Sequence, residues 1–185
     1  MRAAVLEAPR TSLRLRDDVT LDAPGPGQVR VRVAWCGLCH SDLSVVDGVF
    51  PAPLPVVLGH EAAGVVDAVG PHVTGLAPGD PVVLTPCPPC GRCYWCVRAE
   101  PQLCVNTAGI STSTFPDGST GLSVDGSPVY RGLNVAAFAE HVLVPATGAV
   151  PVPRDVPLDV ACVIGCAVQT GVGAVLNTAR VPEGA

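Results

Sequence analysis

The sequence predicts a mainly β fold, a Greek-key or partly open β-barrel, followed by a short helical segment. Twenty glycines and twenty prolines are spread over the 185 residues without a period, which favours many short strands and turns. Apolar residues make up 48% of the chain and charged residues 15%, so a core can be buried. Residues 28–34 alternate apolar and polar side chains, the period of a strand with one buried face. After Pro157 the strand-like pattern gives way to a helix-like one.

The individual elements are expected where short apolar or alternating runs are bounded by glycine and proline. The Pro-rich residues 51–55 block a helix and favour an extended path. Pro157 suits the start of a helix, because its missing N–H is harmless there. We predict strands at residues 3–7, 12–17, 28–34, 62–69, 81–84, 138–144 and 149–152, a hairpin of 122–124 with 129–130, and helices at 43–49, 158–164 and 171–179.

Charge and hydropathy exclude several classes of partner. The net charge of −5, without a basic stripe, gives no electrostatic footprint for nucleic acid or an acidic membrane. No apolar run reaches the roughly 18 residues of a membrane helix. The N-terminus lacks the apolar core of a signal peptide. We therefore expect a cytoplasmic protein.

Nine cysteines are the strongest chemical signal in the chain. Their number is odd and no export signal is present, so a disulfide framework is not expected. Five of them fall between Cys87 and Cys104, and the other four lie in two pairs. Metal ligation explains this clustering better than disulfide bonding.

A structural zinc site is predicted from a dense run of four cysteines: Cys90, Cys93, Cys96 and Cys104. Four thiolates can surround one zinc ion tetrahedrally and leave no open position. The ion would supply folding energy to a lobe too irregular to have its own core. An iron–sulfur cluster is the rival, but the ferredoxin run continues with x3-Cys-Pro, and the last spacing here is longer. The spacing favours zinc, and Cys87 is left outside the set.

A catalytic metal site is predicted from three distant stretches that contain Cys39, His60 and Cys166. Two thiolates and an imidazole form the ligand set of a catalytic zinc ion with one open position. Such an ion lowers the pKa of a bound oxygen and acts as a Lewis acid. Ser41 is placed to take a proton from that oxygen, and Asp42 can orient the His60 ring through its other nitrogen.

The alternative for any single cysteine is a small buried hydrophobic residue. We retain that interpretation for Cys36 and Cys162. His72, in a Pro/Gly loop, and His141, in a strand, are interpreted as ordinary surface or core residues. His60 differs from them, because the glycine before it permits close backbone approach and the acid after it is poorly placed for core packing.

These motifs together resemble a known family. Cys-Gly-Leu-Cys-His-Ser-Asp at 36–42, Gly-His-Glu-Ala-Ala-Gly at 59–64, the four-Cys lobe, and Ile-Gly-Cys at 164–166 with Thr170-Gly171 resemble the zinc-containing alcohol dehydrogenases of the medium-chain dehydrogenase/reductase superfamily. The resemblance runs from residue 3 to 180. Within the superfamily it is similar to the class of formaldehyde (thiol-adduct) and aryl-alcohol dehydrogenases. It implies a GroES-like barrel with a zinc-lobe insertion, normally followed by a Rossmann domain and assembled into dimers or tetramers.

The resemblance also implies roles for individual residues. Many relatives have a histidine three residues after the relay serine, where this chain has Ser44, so the outer relay departs from the family pattern. The implied roles are catalytic zinc ligation by Cys39, His60 and Cys166, structural zinc ligation by Cys90, Cys93, Cys96 and Cys104, proton relay by Ser41, an acid near the metal at Glu61, contact with the cofactor pyrophosphate at His40, and contact with the nicotinamide end at Thr170.

We expect a GroES-like catalytic domain at residues 1–153, including the zinc lobe at 86–108. Residues 154–185 are expected to form a helical segment that supplies the third catalytic ligand and leads to a missing cofactor domain. No Gly-x-Gly-x-x-Gly lies between a strand and a helix, so NAD or NADP is expected from that missing domain. The expected reaction is oxidation of a primary, aryl or thiol-adduct alcohol to the aldehyde level, with two zinc ions per chain and an inactive isolated fragment. The alternative is a catalytically silent zinc-binding interaction module.

Overall fold

The computed structural model describes all of residues 1–185 as three β-sheets joined by turns and short helices. The strands are β1 Ala3–Leu6, β2 Arg14–Arg16, β3 Thr20–Leu21, β4 Gln28–Gly37, β5 Val56–Val57, β6 Glu61–Val69, β7 Pro81–Leu84, β8 Leu122–Val124, β9 Ser127–Pro128, β10 Tyr130–Arg131, β11 His141–Pro145 and β12 Ala149–Pro151. The α-helices are α1 His40–Val46, α2 Gly109–Thr112, α3 Leu158–Ala161 and α4 Ala167–Gly173, which continues as a π-helical turn over Ala174–Ala179. Short 3-10 turns cover Cys96–Arg98, Pro101–Leu103, Val105–Ala108, Gly132–Asn134, Ala146–Gly148 and Cys162–Gly165.

The largest sheet is antiparallel throughout, in the order β11-β4-β6-β7-β12. Its longest strand, β4, alternates buried and less buried side chains, with Val29 and Val31 fully enclosed. The pairing of β4 with β6 shifts register between Arg30 and Val31 and again between Val33 and Trp35. Such bulges increase the local twist of a strand pair, so this sheet curls instead of lying flat.

Two smaller sheets complete the architecture. One has the order β10-β5-β1-β2, and the other is β3-β8-β9. An isolated bridge between Ala3 and Ala139 connects β1 to the chain just before β11. The main core cluster lies on the large sheet and is built from valine, leucine and alanine side chains of β4, β6, β7 and β11 together with Val135 and Ala137. The prediction of a mainly β, partly open barrel is confirmed.

The predicted hairpin of 122–124 with 129–130 is wrong in its second strand. β8 pairs instead with β9, two residues earlier. Asp125 and Gly126 have φ angles of 49° and 74°, the left-handed conformation that a two-residue type I′ turn requires. This tight turn leaves Tyr130–Arg131 free to run parallel to β5.

Two helices begin earlier than the apolar pattern predicts. The predicted helix at 43–49 begins at His40, because Asp42 reaches back to the backbone N–H of Cys39 and caps the first turn. The predicted helix at 171–179 begins at Ala167. No single helix is long and apolar enough to cross a membrane, although the bent pair Leu158–Gly165 and Ala167–Ala179 passes that test by length and composition.

Candidate metal centres

One cluster brings together donor atoms from three distant stretches of the chain. The ligand atoms of Cys39, His60, Glu61 and Cys166 all lie within 4.8 Å of one another. Cys39 precedes α1, the next two donors lie at the start of β6, and Cys166 separates the Cys162–Gly165 turn from α4. The first two stretches meet because Gly37, the last residue of β4, pairs with Glu61. The structure thus brings the three predicted ligands together, with a carboxylate beside them.

Two glycines allow the backbone to approach closely enough to form this cluster. Gly59 has a φ of +91°, and a Cβ atom there would lie 2.7 Å from the backbone nitrogen of Phe138. A Cβ atom on Gly165 would lie only 2.0 Å from the carbonyl oxygen of Leu84. Any side chain at either position would push apart the strands and turns that deliver the donors.

Contacts with the carboxylate of Asp42 hold the predicted ligands in position. Its carboxylate accepts hydrogen bonds from the backbone N–H of Gly59 at 2.9 Å and of Cys39 at 3.3 Å. It also lies 3.2 Å from Nδ1 of His60. With Nδ1 held in this way, Nε2 remains available for a metal. The prediction that Asp42 orients the His60 ring is confirmed.

The pKa shifts in the cluster reflect burial, hydrogen bonds and the charges of neighbouring groups. Burial disfavours the His60 cation, but the Asp42 carboxylate outweighs it and raises the pKa of His60. Burial likewise opposes a Cys39 thiolate, yet hydrogen bonds from Ser41 lower the pKa of this thiol. Burial and the neighbouring Cys39 sulfur together raise the pKa of Cys166 to about 12. A divalent cation between the two sulfurs would remove this conflict, because a coordinating thiol is deprotonated outright.

The chemistry of the donors fits zinc. Two sulfurs and an imidazole nitrogen suit a borderline-soft cation that accepts tetrahedral coordination. Glu61 is buried, and its carboxylate is the fourth group of the cluster. Three protein donors plus one exchangeable position is the arrangement of a catalytic zinc site.

The second cluster consists of four sulfurs within 4.8 Å of one another, from Cys90, Cys93, Cys96 and Cys104. The lobe is built of tight turns, and three of its backbone amides donate to the sulfurs. The N–H groups of Cys90 and Asn106 donate to Cys104 Sγ at 3.1 and 3.4 Å, and the N–H of Cys93 donates to Cys90 Sγ at 3.3 Å. Amide donors of this kind stabilise thiolates, so the lobe suits a closed structural zinc site.

The pKa values of two thiols of the lobe shift in opposite directions. Hydrogen bonds from backbone N–H groups lower the pKa of Cys93 to about 6. Burial raises the pKa of Cys96 to about 11. Cys87 lies outside the cluster, and burial alone raises its pKa. The structure therefore agrees with leaving Cys87 out of the ligand set.

The remaining predicted site residues lie near the first cluster but are not part of its donor set. Ser41 is half-buried in the first turn of α1, two residues after Cys39. His40 is exposed at the start of α1, with Ser44 Oγ 3.4 Å from its Nδ1. Thr170 is exposed on α4, and its backbone N–H donates to the carbonyl oxygen of Cys166 at 2.9 Å.

Sequence reasoning missed one buried polar group away from both clusters. Arg131 is only 1% exposed and Asn134 is 4% exposed. Arg131 Nη1 donates to Asn134 Oδ1 at 2.7 Å, and Asn134 Nδ2 donates to the carbonyl oxygen of Pro86 at 3.0 Å. An arginine in a two-residue strand gives no sequence signal of burial, because arginine is normally exposed.

Fold and site together define a zinc-binding GroES-like barrel. Residues 25–154 match the family described as the alcohol dehydrogenase GroES-like domain, and the chain belongs to this family. The resemblance to the zinc-containing alcohol dehydrogenases of the medium-chain dehydrogenase/reductase superfamily is thereby confirmed.

Two curated relatives show how far the similarity extends. The chain is 38% identical over 187 residues to an alcohol dehydrogenase class-3 of Cereibacter sphaeroides, covering 100% of this chain and 50% of the relative. It is 39% identical over 171 residues to an S-(hydroxymethyl)glutathione dehydrogenase of Paracoccus denitrificans, covering 91% of this chain and 46% of that relative. The chain spans about half the length of these relatives.

Two crystal structures are similar in fold as well as in sequence. The alcohol dehydrogenase zinc-binding domain protein of Burkholderia ambifaria superposes with a TM-score of 0.88 at 40% identity, over 97% of this chain and 49% of that one. The benzyl alcohol dehydrogenase of Acinetobacter calcoaceticus superposes with a TM-score of 0.87 at 35% identity, over 95% of this chain and 47% of that one.

Proposed function

We propose that the chain is the catalytic part of a zinc-dependent alcohol dehydrogenase. The reaction is oxidation of a primary, aryl or thiol-adduct alcohol to the aldehyde level, with NAD⁺ or NADP⁺ as hydride acceptor. The observation that supports it best is the convergence of Cys39, His60 and Cys166 beside a buried carboxylate. Relatives named for S-(hydroxymethyl)glutathione and benzyl alcohol support thiol-adduct and aryl alcohols as substrate classes.

Two zinc ions per chain are part of the proposal. Cys39, His60 and Cys166 would hold the catalytic ion, and the four-Cys lobe would hold the structural one. A bound catalytic zinc supplies Lewis acidity, which makes an alcohol hydroxyl easier to deprotonate. Glu61 is close enough to the other donors to approach the ion when the substrate position is empty.

Within this proposal, Ser41 accepts the proton of the alcohol. Its place in the first turn of α1, two residues after Cys39, supports a hydroxyl close to the site where the substrate oxygen would lie. Proton transfer by a positioned side chain is most effective over hydrogen-bond distance. Onward transfer to solvent differs from the family pattern, because Ser44 occupies the place of a histidine and hydrogen bonds to the carbonyl oxygen of His40 at 3.0 Å.

The nicotinamide cofactor is proposed to meet this chain at two exposed residues. His40 is assigned to the pyrophosphate and Thr170 to the nicotinamide end. We propose a division into a catalytic domain at 1–153, with its zinc lobe at 86–108, and a helical segment at 154–185 that leads toward a cofactor domain. The whole protein is proposed to form a homo-dimer or homo-tetramer.

Zinc content and turnover of the purified whole protein test the proposal. Two zinc ions per chain are expected, and Cys39→Ser and Cys104→Ser should each remove one. Benzyl alcohol and S-(hydroxymethyl)glutathione are offered with NAD⁺ or NADP⁺, and Cys39→Ser should abolish turnover. Cys87→Ser, a half-buried thiol outside both clusters, is the matched control and should keep both ions.

Two results would contradict the proposal. The first is a Cys39→Ser variant that keeps both zinc ions and full turnover. The second is a whole protein that holds both ions but oxidises neither alcohol with either cofactor, which would favour the zinc-binding interaction module.

A further inference from the structure

Arg131 is a buried cation without an anionic partner. Its side chain is among the largest that are fully buried, and its guanidinium carbon lies 3.8 Å from the centroid of the Phe115 ring. Seven ion pairs form within 4.0 Å, and Arg131 belongs to none of them. Buried charges in proteins are ordinarily paired, because removing a charge from water costs several kcal/mol.

The protein satisfies only part of the hydrogen-bonding capacity of this guanidinium. Nη1 donates to Asn134 Oδ1 at 2.7 Å, and Nη2 donates to the carbonyl oxygens of Asn134 at 2.5 Å and Leu143 at 3.4 Å. A guanidinium has five N–H donors, so these three bonds leave two, including that of Nε, without a protein acceptor. Burial lowers the pKa of Arg131 to about 9, and the group therefore remains charged at neutral pH.

Arg131 lines a cavity of about 320 Å³ between the barrel on one side and the zinc lobe with the chain that follows it on the other. Polar groups accompany it in the lining, and none of the donors of either metal cluster takes part. The polar lining residues are Arg131, Asn106, Thr112, Thr114 and Asn134. A small pocket with a buried cation and hydroxyl and amide groups has the chemistry of an anion site.

We propose that this cavity binds a small oxyanion, a carboxylate or a phosphate group, against the guanidinium of Arg131. The anion offsets the buried charge and accepts the N–H donors that the protein leaves unused. Asn134 connects the site to the start of the zinc lobe through its bond to the carbonyl oxygen of Pro86. A bound anion therefore stabilises the junction between lobe and barrel.

Acetate and inorganic phosphate are the probes, tested separately on the zinc-loaded protein after free zinc is removed. Thermal unfolding and isothermal titration are measured at constant ionic strength, with chloride as the reference anion. At least one probe should bind saturably and raise the unfolding temperature, because a ligand selective for the folded state stabilises it. Binding of acetate alone identifies a carboxylate site, and binding of phosphate alone identifies a phosphate site. Absence of saturable binding by both probes would overturn the proposal.

Variants locate the binding in this cavity. Arg131→Gln should weaken it by about tenfold or more, since a hydrogen bond to a charged group is lost. Arg154→Gln, which removes an exposed arginine, should leave it unchanged. Ala108→Leu narrows the cavity while keeping Arg131, so it should also weaken binding. It replaces Arg131→Gln as the test if that variant fails to fold. Unchanged affinity of Arg131→Gln for the probe would contradict the proposal. If Arg131→Gln does not fold, unchanged affinity of Ala108→Leu would contradict it.

Discussion

The carboxylate of Asp42 lies 3.2 Å from Nδ1 of His60, and the two side chains are only 5% and 4% exposed. The same carboxylate accepts the backbone N–H of Gly59 at 2.9 Å. A single buried carboxylate therefore fixes both the imidazole that we propose as a metal donor and the turn that delivers it. Partners of this kind raise the basicity of a ligating histidine and hold its orientation.

Asp42→Asn should weaken zinc binding at the first cluster by about 10–100-fold, because the ring loses its anionic partner while the side-chain volume is kept. Competition with a chelator measures the effect. It should resolve one tightly bound and one more weakly bound zinc ion per chain. Asp47→Asn, an exposed change at the end of the same helix, is the control, and both of its zinc ions should bind as tightly as in the wild type. Equal zinc affinity in Asp42→Asn and the wild type would refute the positioning role.

Ser41→Ala should lower kcat of the whole protein by at least about 100-fold without loss of zinc, since it removes the proposed proton acceptor and none of the metal donors. Steady-state oxidation of benzyl alcohol gives the rate, and metal analysis gives the zinc content. Ser111→Ala, at an exposed serine on α2, provides the comparison. The proton-relay assignment fails if turnover of Ser41→Ala matches that of Ser111→Ala.

Gly59→Ala and Gly75→Ala separate backbone strain from steric contact. Both glycines have positive φ, +91° and +77°, but only a Cβ atom at Gly59 meets neighbours, at 2.6 Å from the Phe138 ring. Gly75→Ala should cost about 1–2 kcal/mol of unfolding free energy for the left-handed conformation alone. Gly59→Ala should cost about 1–3 kcal/mol more, from overpacking. Urea unfolding of both variants tests this, and equal costs would show that the contact with Phe138 relaxes freely.

Glu140→Gln should reduce stability at neutral pH but not in acid. The backbone N–H and guanidinium of Arg2 hold the pKa of Glu140 below its ordinary value. A lowered folded-state pKa contributes stability above the unfolded pKa, about 4.3, and this contribution is lost as pH falls through the folded value. Urea unfolding at several pH values should show the wild type and variant converging in acid. Glu183→Gln, at an exposed position near the end of the chain, is the control, and a pH-independent difference for Glu140→Gln would contradict the linkage.

The metal centres could largely be predicted from the sequence because their donors are chemically distinctive. Cys90 to Cys104 lie close together in the chain, so ligand spacing alone predicts the four-sulfur cluster. The convergence of Cys39, His60 and Cys166 depends on long-range pairing that no local pattern contains. Their donor types and flanking motifs predicted the site, and the resemblance to a family supported it. The structure adds the pairing of Gly37 with Glu61 that brings two of these stretches together.

The rest of the fold was predictable only where local signals dominate. A hairpin beginning at 122–124 was predicted, but the pairing of residues 130–131 with β5 was not, because β5 lies about 70 residues earlier in the chain. Burial of Arg131 follows from that same pairing, in which Arg131 lies opposite Val57. A two-residue strand is too short for periodicity to show which of its side chains faces inward.

The position of Gly165 against Leu84 has a consequence for how the proposed catalytic ion would be retained. Three of the four donors, Cys39, His60 and Glu61, belong to the barrel sheet and the loop it supports, whereas Cys166 arrives on a separate segment that rests on β7 through a side-chain-free contact. We expect the donors to separate from a bound metal ion in the order that this division sets. If zinc binds there, the sulfur of Cys166 would detach first when the last helices come away, and zinc retention would report whether this end of the chain is docked.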